Sequence, residues 1–86
     1  MQTHHELKIE ESYYHPVIAG DKPFEIRFND RGYQKGDRIT FTPILKNGTR
    51  NHSLKKVDAE ITYVTGYSQK PDWVVFGIKL TSNWVL

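Results

Sequence analysis

The chain has 86 residues, a net charge of +2 and no cysteine, which excludes a disulfide framework, a thiolate zinc site and a cysteine nucleophile. Its length predicts a single domain over residues 1–86, and the lack of an apolar leader or a long apolar run predicts a soluble, cytoplasmic protein with no membrane partner. The mild positive charge permits an anionic ligand without requiring one.

The first two predicted elements are a strand and a helix. Residues 5–9 alternate polar with apolar, which places Leu7 and Ile9 inward. The apolar spacing then becomes helical over residues 10–19, and Gly20 follows where a C-terminal capping glycine is expected. Because Pro16 removes an early hydrogen bond, the helix is predicted to be short or distorted.

The next strand, over residues 22–28, carries most of the charged chemistry. Its alternation puts three apolar side chains on one face and three polar ones on the other: Phe24, Ile26 and Phe28 against Glu25, Arg27 and Asn29. Neighbouring charges on an open strand neutralise each other in solvent with little gain. If the sheet curls, however, this face is partly enclosed, and enclosed charges are costly unless they are paired or used.

The remaining pattern is dominated by strands. After a loop over residues 29–37, strands are predicted at 38–44, 57–63 and 73–80, with a bend or bulge at the interior Gly77. The Asn47-Gly48 pair predicts a type I′ hairpin whose polar return arm, residues 49–54, forms an exposed edge. These elements predict an α+β, mostly β fold: a small bent sheet or barrel of five or six strands, with one short helix after the first strand.

Motifs for metal, cofactor or nucleotide-triphosphate chemistry are missing from the sequence. The "HHEL" stretch lacks the second histidine of a zinc-protease motif, because position 9 is isoleucine. There is no G-x-S-x-G, no phosphate-binding P-loop and no G-x-G-x-x-G. No metal and no cofactor are therefore predicted.

Cations are interleaved with tyrosines in the first half of the chain. Positive charge beside flat rings suits single-stranded nucleic acid or a splayed base, because phosphates meet the charge and bases stack on the rings. An ordinary solvated surface explains the same composition and stays open as the alternative. The residues concerned are Lys8, Lys22, Arg27, Arg31, Lys35 and Arg38, with Tyr13, Tyr14 and Tyr33.

Part of this pattern resembles the signature of ASCH domains in the PUA-like superfamily, most closely a small uncharacterised ASCH-like family from bacteria and their phages. The resemblance is close over residues 7–44 and extends to the later strands only in pattern. It implies a PUA-like β-barrel with a cleft beside the helix, lined by the lysine, glutamate and arginine of the signature. The matching positions are Lys8-Ile9, Val17-Ile18, Gly20, Lys22, Glu25-Ile26-Arg27 and Gly36-Asp37.

The resemblance also bears on function. Superfamily members bind RNA or modified bases, and a few ASCH proteins hydrolyse acetylated cytidine with a lysine, a threonine and a glutamate. Lys22 matches that lysine, but the threonine aligns with Glu25, so hydrolysis is disfavoured. The sequence therefore predicts a module that binds RNA, a nucleoside or a nucleotide in a cationic cleft, through Lys8, Lys22, Glu25, Arg27, Asn29 and Arg31, with Lys35 also on its rim.

Two alternatives remain open. One is an amidohydrolase of the N4-acetylcytidine type, with Lys22 as the base and Glu25 as its partner. The other is a protein-interaction module, such as a phage-encoded inhibitor, that contacts a protein partner through the apolar tail Trp84, Val85 and Leu86.

Overall fold

The computed structural model describes residues 3–81 and confirms the mostly β fold, with one short helix after the first strand. Within these residues there are five strands. In chain order the elements are β1 (His4–Glu10), α1 (Glu11–Ala19), β2 (Phe24–Phe28), β3 (Arg38–Ile44), β4 (Val57–Thr65) and β5 (Trp73–Leu80). The tail residues Trp84, Val85 and Leu86 lie outside the described part of the chain.

The five strands form one sheet in the order β1-β3-β4-β5-β2. β1 runs parallel to β3, and the other neighbours are antiparallel. The sheet curls into a half-barrel, so that its two edge strands, β1 and β2, face each other. The guanidinium of Arg27 on β2 spans this gap and donates a hydrogen bond to the backbone oxygen of Lys8 on β1 at 2.8 Å. We call the line along which the edges of β1 and β2 meet the seam.

The core fills the inside of the curl. Strand alternation directs one set of apolar side chains inward from every strand except β2, and α1 adds Tyr14 and Val17 from one end. Phe41, Phe76, Ile39 and Ile61 are the largest fully buried hydrocarbon side chains that the strands contribute, and Leu7 and Ile9 face inward as predicted.

The helix keeps Pro16 in its interior and ends where the sequence predicts. Gly20 adopts the left-handed conformation with φ of 82°, and the amides of Gly20, Asp21 and Lys22 turn back onto carbonyl oxygens of the last turn. This cap reverses the chain within four residues, so Lys22 lies beside the helix at the entrance to β2.

The predicted hairpin at Asn47-Gly48 is wrong in its turn type and in its return arm. Gly48 is left-handed with φ of 89°, but Asn47 is not, whereas a type I′ turn needs both. Asn47 Oδ1 instead accepts bonds from the amide and hydroxyl of Thr49. Only an isolated bridge from Ile44 to Arg50 follows, because residues 49–54 lack the apolar alternation that would hold a sixth strand on the core.

The predicted irregularity at Gly77 is confirmed, and the bulge itself lies across from it in β4. The register between β4 and β5 shifts between Ile61 and Tyr63, and Tyr63 stands opposite Gly77. In the part of the chain that the structure describes, no helix is long and apolar enough to cross a membrane.

Candidate ligand-binding cleft

β2 turns its charged face into the molecule and its apolar face outward. Glu25 is only 4% exposed, whereas Ile26 and Phe28 are each about half exposed and Phe24 is 37% exposed. This is the reverse of an ordinary amphipathic edge strand. The side chains of positions 25 and 27 therefore point toward the seam, as the curled-sheet interpretation of the sequence requires.

The buried carboxylate of Glu25 is fully partnered. Lys22 Nζ lies 2.5 Å from Glu25 Oε2, and Arg27 Nε donates to Glu25 Oε1 at 3.0 Å. A buried carboxylate is tolerated only with such compensation. The carboxylate of Glu25 thus fixes two cations from different parts of the chain: Lys22, which follows the helix cap, and Arg27, which lies on β2.

A cleft of about 320 Å³ opens along the seam on the side of α1. We call it the helix-side cleft, and it brings together four of the six residues predicted to bind ligand. Three cations and two carboxylates line it, with apolar walls from β1, β2 and the end of β3. Its lining residues are Lys8, Ile9, Glu10, Tyr13, Lys22, Glu25, Ile26, Arg27 and Ile44.

Of the three tyrosines considered for stacking, Tyr13 is the one that presents an exposed ring to this cleft. Its side chain is half exposed, and Lys22 Nζ sits 4.5 Å from its ring centroid. Tyr14 is a core residue whose hydroxyl donates to the backbone oxygen of Lys55. Tyr33 is buried too and packs against His5 at a centroid distance of 4.9 Å.

Burial has the same electrostatic effect on both enclosed tyrosines. It raises the pKa of the Tyr14 and Tyr33 hydroxyls above the ordinary value, against smaller opposing effects of nearby arginines. Both therefore stay neutral at physiological pH.

A second cleft, of about 420 Å³, lies on the other side of Arg27, toward the loop that follows β2. We call it the loop-side cleft. Arg31 lines it, as do Lys8 and Arg27, which also line the helix-side cleft. The full lining is Glu6, Leu7, Lys8, Arg27, Phe28, Asp30, Arg31 and Tyr33.

The structure does not bring Asn29 or Lys35 to either cleft. Asn29 instead shapes the loop: its side-chain Oδ1 accepts a hydrogen bond from the backbone amide of Tyr33 at 2.9 Å, and its backbone amide donates to the backbone oxygen of Asp72. An asparagine beside a glycine-containing loop commonly serves this purpose.

Sequence reasoning missed the lining residues that come from elsewhere in the chain. Ile44 reaches the helix-side cleft because β3 pairs in parallel with β1, which sets Ile44 beside Glu10. Nothing in the local sequence of either residue indicates that pairing. The buried hydrogen bond between His5 Nε2 and Asp37 Oδ2, at 2.8 Å, was missed as well, although Gly36-Asp37 is among the positions that match the ASCH signature.

Asp37 anchors the start of the chain to the entrance of β3. It accepts hydrogen bonds from the His5 ring and from the backbone amides of Thr3 and Gln34. Burial alone would raise the pKa of Asp37, but these bonds outweigh it and hold that pKa below its ordinary value of 3.8. Asp37 lines neither cleft, so its contacts are those of a structural residue.

No group of three or more histidine, aspartate or glutamate side chains within residues 3–81 is arranged to hold a metal ion. The histidines are used in other ways. His5 pairs with Asp37, and the His4 ring meets the hydroxyl of Thr40 at 2.8 Å.

Comparison with known proteins places the chain in a family. Residues 4–78 match the family described as "Domain of unknown function (DUF3850)", a span that includes every residue of both clefts. The chain belongs to the DUF3850 family. It is also similar to the "Uncharacterized 12.9 kDa protein in GpA 3'region" of Escherichia phage P2, with 38% identity over 71 residues. That alignment covers 81% of this DUF3850 chain but only 59% of the phage protein.

Proposed function

We propose that the helix-side cleft of this DUF3850 domain binds a nucleobase-containing anion, either a nucleotide or a segment of single-stranded RNA. The observation that carries the proposal is the arrangement around Glu25. A buried carboxylate with both oxygens occupied holds Lys22 and Arg27 at the wall of a cleft that also contains the exposed ring of Tyr13.

The two kinds of contact in this cleft suit the two parts of a nucleotide. Lys22, Lys8 and the guanidinium of Arg27 supply positive charge for phosphate or base carbonyl oxygens. The Tyr13 ring supplies a flat apolar surface on which a base stacks, a contact worth about 1–3 kcal/mol per base in single-strand binding proteins.

Glu25 acts as a positioning residue in this proposal. Lys22 and Arg27 each hold one of its oxygens, and its side chain is only 5% exposed, so little of the carboxylate is accessible to a base edge. Its contribution is to orient both cations before the ligand arrives, which reduces the entropy lost on binding.

The resemblance to ASCH domains in the PUA-like superfamily supports the same proposal, because it implies a cleft beside the helix lined by these signature residues. The catalytic roles considered for Lys22 and Glu25 stay predictions. In this geometry the Lys22 amine is engaged by a carboxylate and an aromatic ring, an arrangement that suits a binding cation better than a base.

A titration of nucleotides tests the proposal. The four ribonucleoside 5′-monophosphates and their short homo-oligomers are titrated into the protein at low salt by calorimetry. We expect binding of at least one series, weakened about tenfold or more by Lys22→Ala and by Arg27→Ala, because each removes a charge-assisted contact. Lys70→Ala is the matched control, since Lys70 is exposed and lines neither cleft.

The results also separate the alternatives. Absence of binding, or binding that Lys22→Ala and Arg27→Ala leave unchanged in a folded protein, contradicts the proposal. Turnover of N4-acetylcytidine that disappears in Lys22→Ala would instead indicate the amidohydrolase. A protein-interaction module predicts no nucleotide binding at all.

A further inference from the structure

The two clefts lie side by side along the seam, and we call them together the groove. Lys8 and Arg27 line both clefts, so the same two side chains are available to ligands on either side. The helix-side cleft reaches Glu10 at one end of β1, and the loop-side cleft reaches Glu6 toward the other. The four-residue step from Glu6 to Glu10 spans about 13 Å at the rise of a β-strand.

This length exceeds what one nucleotide needs. Successive nucleotides in a stacked strand are about 3.4 Å apart along its axis and lie farther apart when the bases are splayed. A groove of about 13 Å therefore has room for at least two nucleotides.

Cations are spread along the whole groove, together with an equal number of carboxylates: Glu6, Glu10, Glu25 and Asp30. Lys22 lies in the helix-side cleft, Arg27 in both clefts and Arg31 in the loop-side cleft. Arg27 uses Nε for Glu25 and Nη2 for Lys8, which leaves Nη1 without a hydrogen-bond partner among residues 3–81. Arg31 is nearly half exposed; its Nε lies 4.0 Å from Asp30 Oδ1, and its side chain also forms a hydrogen bond with the Tyr33 hydroxyl that acts to lower the pKa of that group.

Each end of the groove also has an aromatic ring that solvent reaches. Tyr13 is half exposed at the helix side. At the loop side Phe28, which belongs to the outward face of β2, contributes to the lining; it is 48% exposed and meets Trp73 edge-to-face at 6.0 Å. Spaced rings beside a line of cations form the recurring design of single-strand binding surfaces.

We propose that the ligand of this protein is a single-stranded oligonucleotide of at least two nucleotides, whose second nucleotide occupies the loop-side cleft beside Arg31. This inference rests on the proposed function, since it assigns the first nucleotide to the helix-side cleft. The phosphate that joins the two nucleotides lies at Arg27.

The test compares three probes that share the same base and differ by one group each: the 5′-monophosphate pN, the 3′,5′-bisphosphate pNp and the dinucleotide pNpN. All four bases are measured by calorimetry at constant low salt. For the preferred base we expect pNpN to bind about tenfold tighter than pN, with pNp between them, because the added phosphate and the added base each gain a contact.

Two variants test which side chain is responsible for the tighter binding of pNpN. Arg31→Ala is expected to reduce the ratio of pNpN to pN affinity at least fivefold. Lys35→Ala removes one positive charge from the same loop. Because Lys35 lines neither cleft, this variant should leave the ratio within twofold of wild type.

The outcomes distinguish this inference from the proposal beneath it. Equal affinity for pN and pNpN, or a gain already complete with pNp, overturns the dinucleotide groove while the nucleotide cleft stands. A length gain that Arg31→Ala does not reduce overturns the assignment to the loop-side cleft. If no probe binds at all, both proposals fail together.

Discussion

The two buried carboxylates that define this molecule, Glu25 and Asp37, differ in what surrounds them. Glu25 is held by two cationic side chains that also line a cleft, so its negative charge fixes positive charge at the wall of that cleft. Asp37 is held by His5 and by two backbone amides, and it lines neither cleft. The nature of the partners, and not burial alone, separates a carboxylate at a site from one that joins two segments of the fold.

The contacts of Asp37 therefore predict that the free energy of unfolding depends on pH. Its folded-state pKa lies below 3.8, so it stabilises the fold above its unfolded pKa, and that stability is lost as the pH falls from about 3.8 through the folded value. We expect Asp37→Asn to lower the free energy of unfolding by about 1–3 kcal/mol at neutral pH, since it weakens charge-assisted bonds in a buried site. Urea unfolding followed by circular dichroism at a series of pH values measures this.

The difference between Asp37→Asn and wild type should shrink steadily as the pH is lowered below about 4, where the wild-type carboxyl also becomes protonated. Asp30→Asn is the control, because Asp30 is exposed and its nearest cation is 4.0 Å away, and its effect should stay within about 0.5 kcal/mol. A constant difference between the Asp37 variant and wild type across the whole range would contradict the assignment.

At the scale of elements, β3 and β5 begin and end at the residues that the sequence pattern predicts. The helix ends before Gly20, because glycine is the residue best suited to a left-handed cap. Two features of the site cannot be derived from any local pattern, for physical reasons. Alternation in β2 defines two faces, but only the curl of the sheet decides that Glu25 points inward. The parallel pairing that brings Ile44 to the cleft joins strands about thirty residues apart, and no local pattern encodes it.

The pairing of β4 and β5 predicts a coupled effect at Gly77. A β-carbon at this position would lie 2.7 Å from Thr62 Oγ1, which belongs to the bulge in β4. We expect Gly77→Ala to destabilise the fold by about 1–3 kcal/mol through overpacking, and Thr62→Ala to restore much of that loss in the double variant. A double-mutant cycle in urea measures the coupling.

Gly66→Ala provides the matched control for this cycle. A β-carbon at Gly66 would meet only the backbone oxygen of Trp73 at an ordinary 3.5 Å, and Gly66 has no left-handed backbone to strain. Its effect on stability should therefore be small. Additive effects of Gly77→Ala and Thr62→Ala would show that the close approach to Thr62 is not what excludes a side chain.

At the scale of the whole molecule, the charge is too small for a general attraction to nucleic acid. A net charge of +2 is well below that of proteins that hold a duplex by a broad basic surface, so the nucleic-acid affinity that we propose has to come from the side chains collected along the seam. The seam exists because β1 and β2, the two edges of one curled sheet, are brought together and linked by Arg27. Bringing the two edge strands together therefore also collects the charged side chains along the seam.

A finite groove predicts a limit on length and on salt dependence. With room for about three phosphates beside Lys22, Arg27 and Arg31, the plot of log affinity against log salt for a single strand should have a slope of about −2, a loss of roughly 20-fold between 50 and 200 mM salt. The slope should stop steepening beyond about four nucleotides. Filter-binding or anisotropy titrations with homo-oligomers of increasing length measure this, and Arg31→Ala should reduce the slope by about 0.7. A slope that keeps rising with length to twenty nucleotides would mean that the phosphates meet the surface at large, and that the seam does not define the binding site.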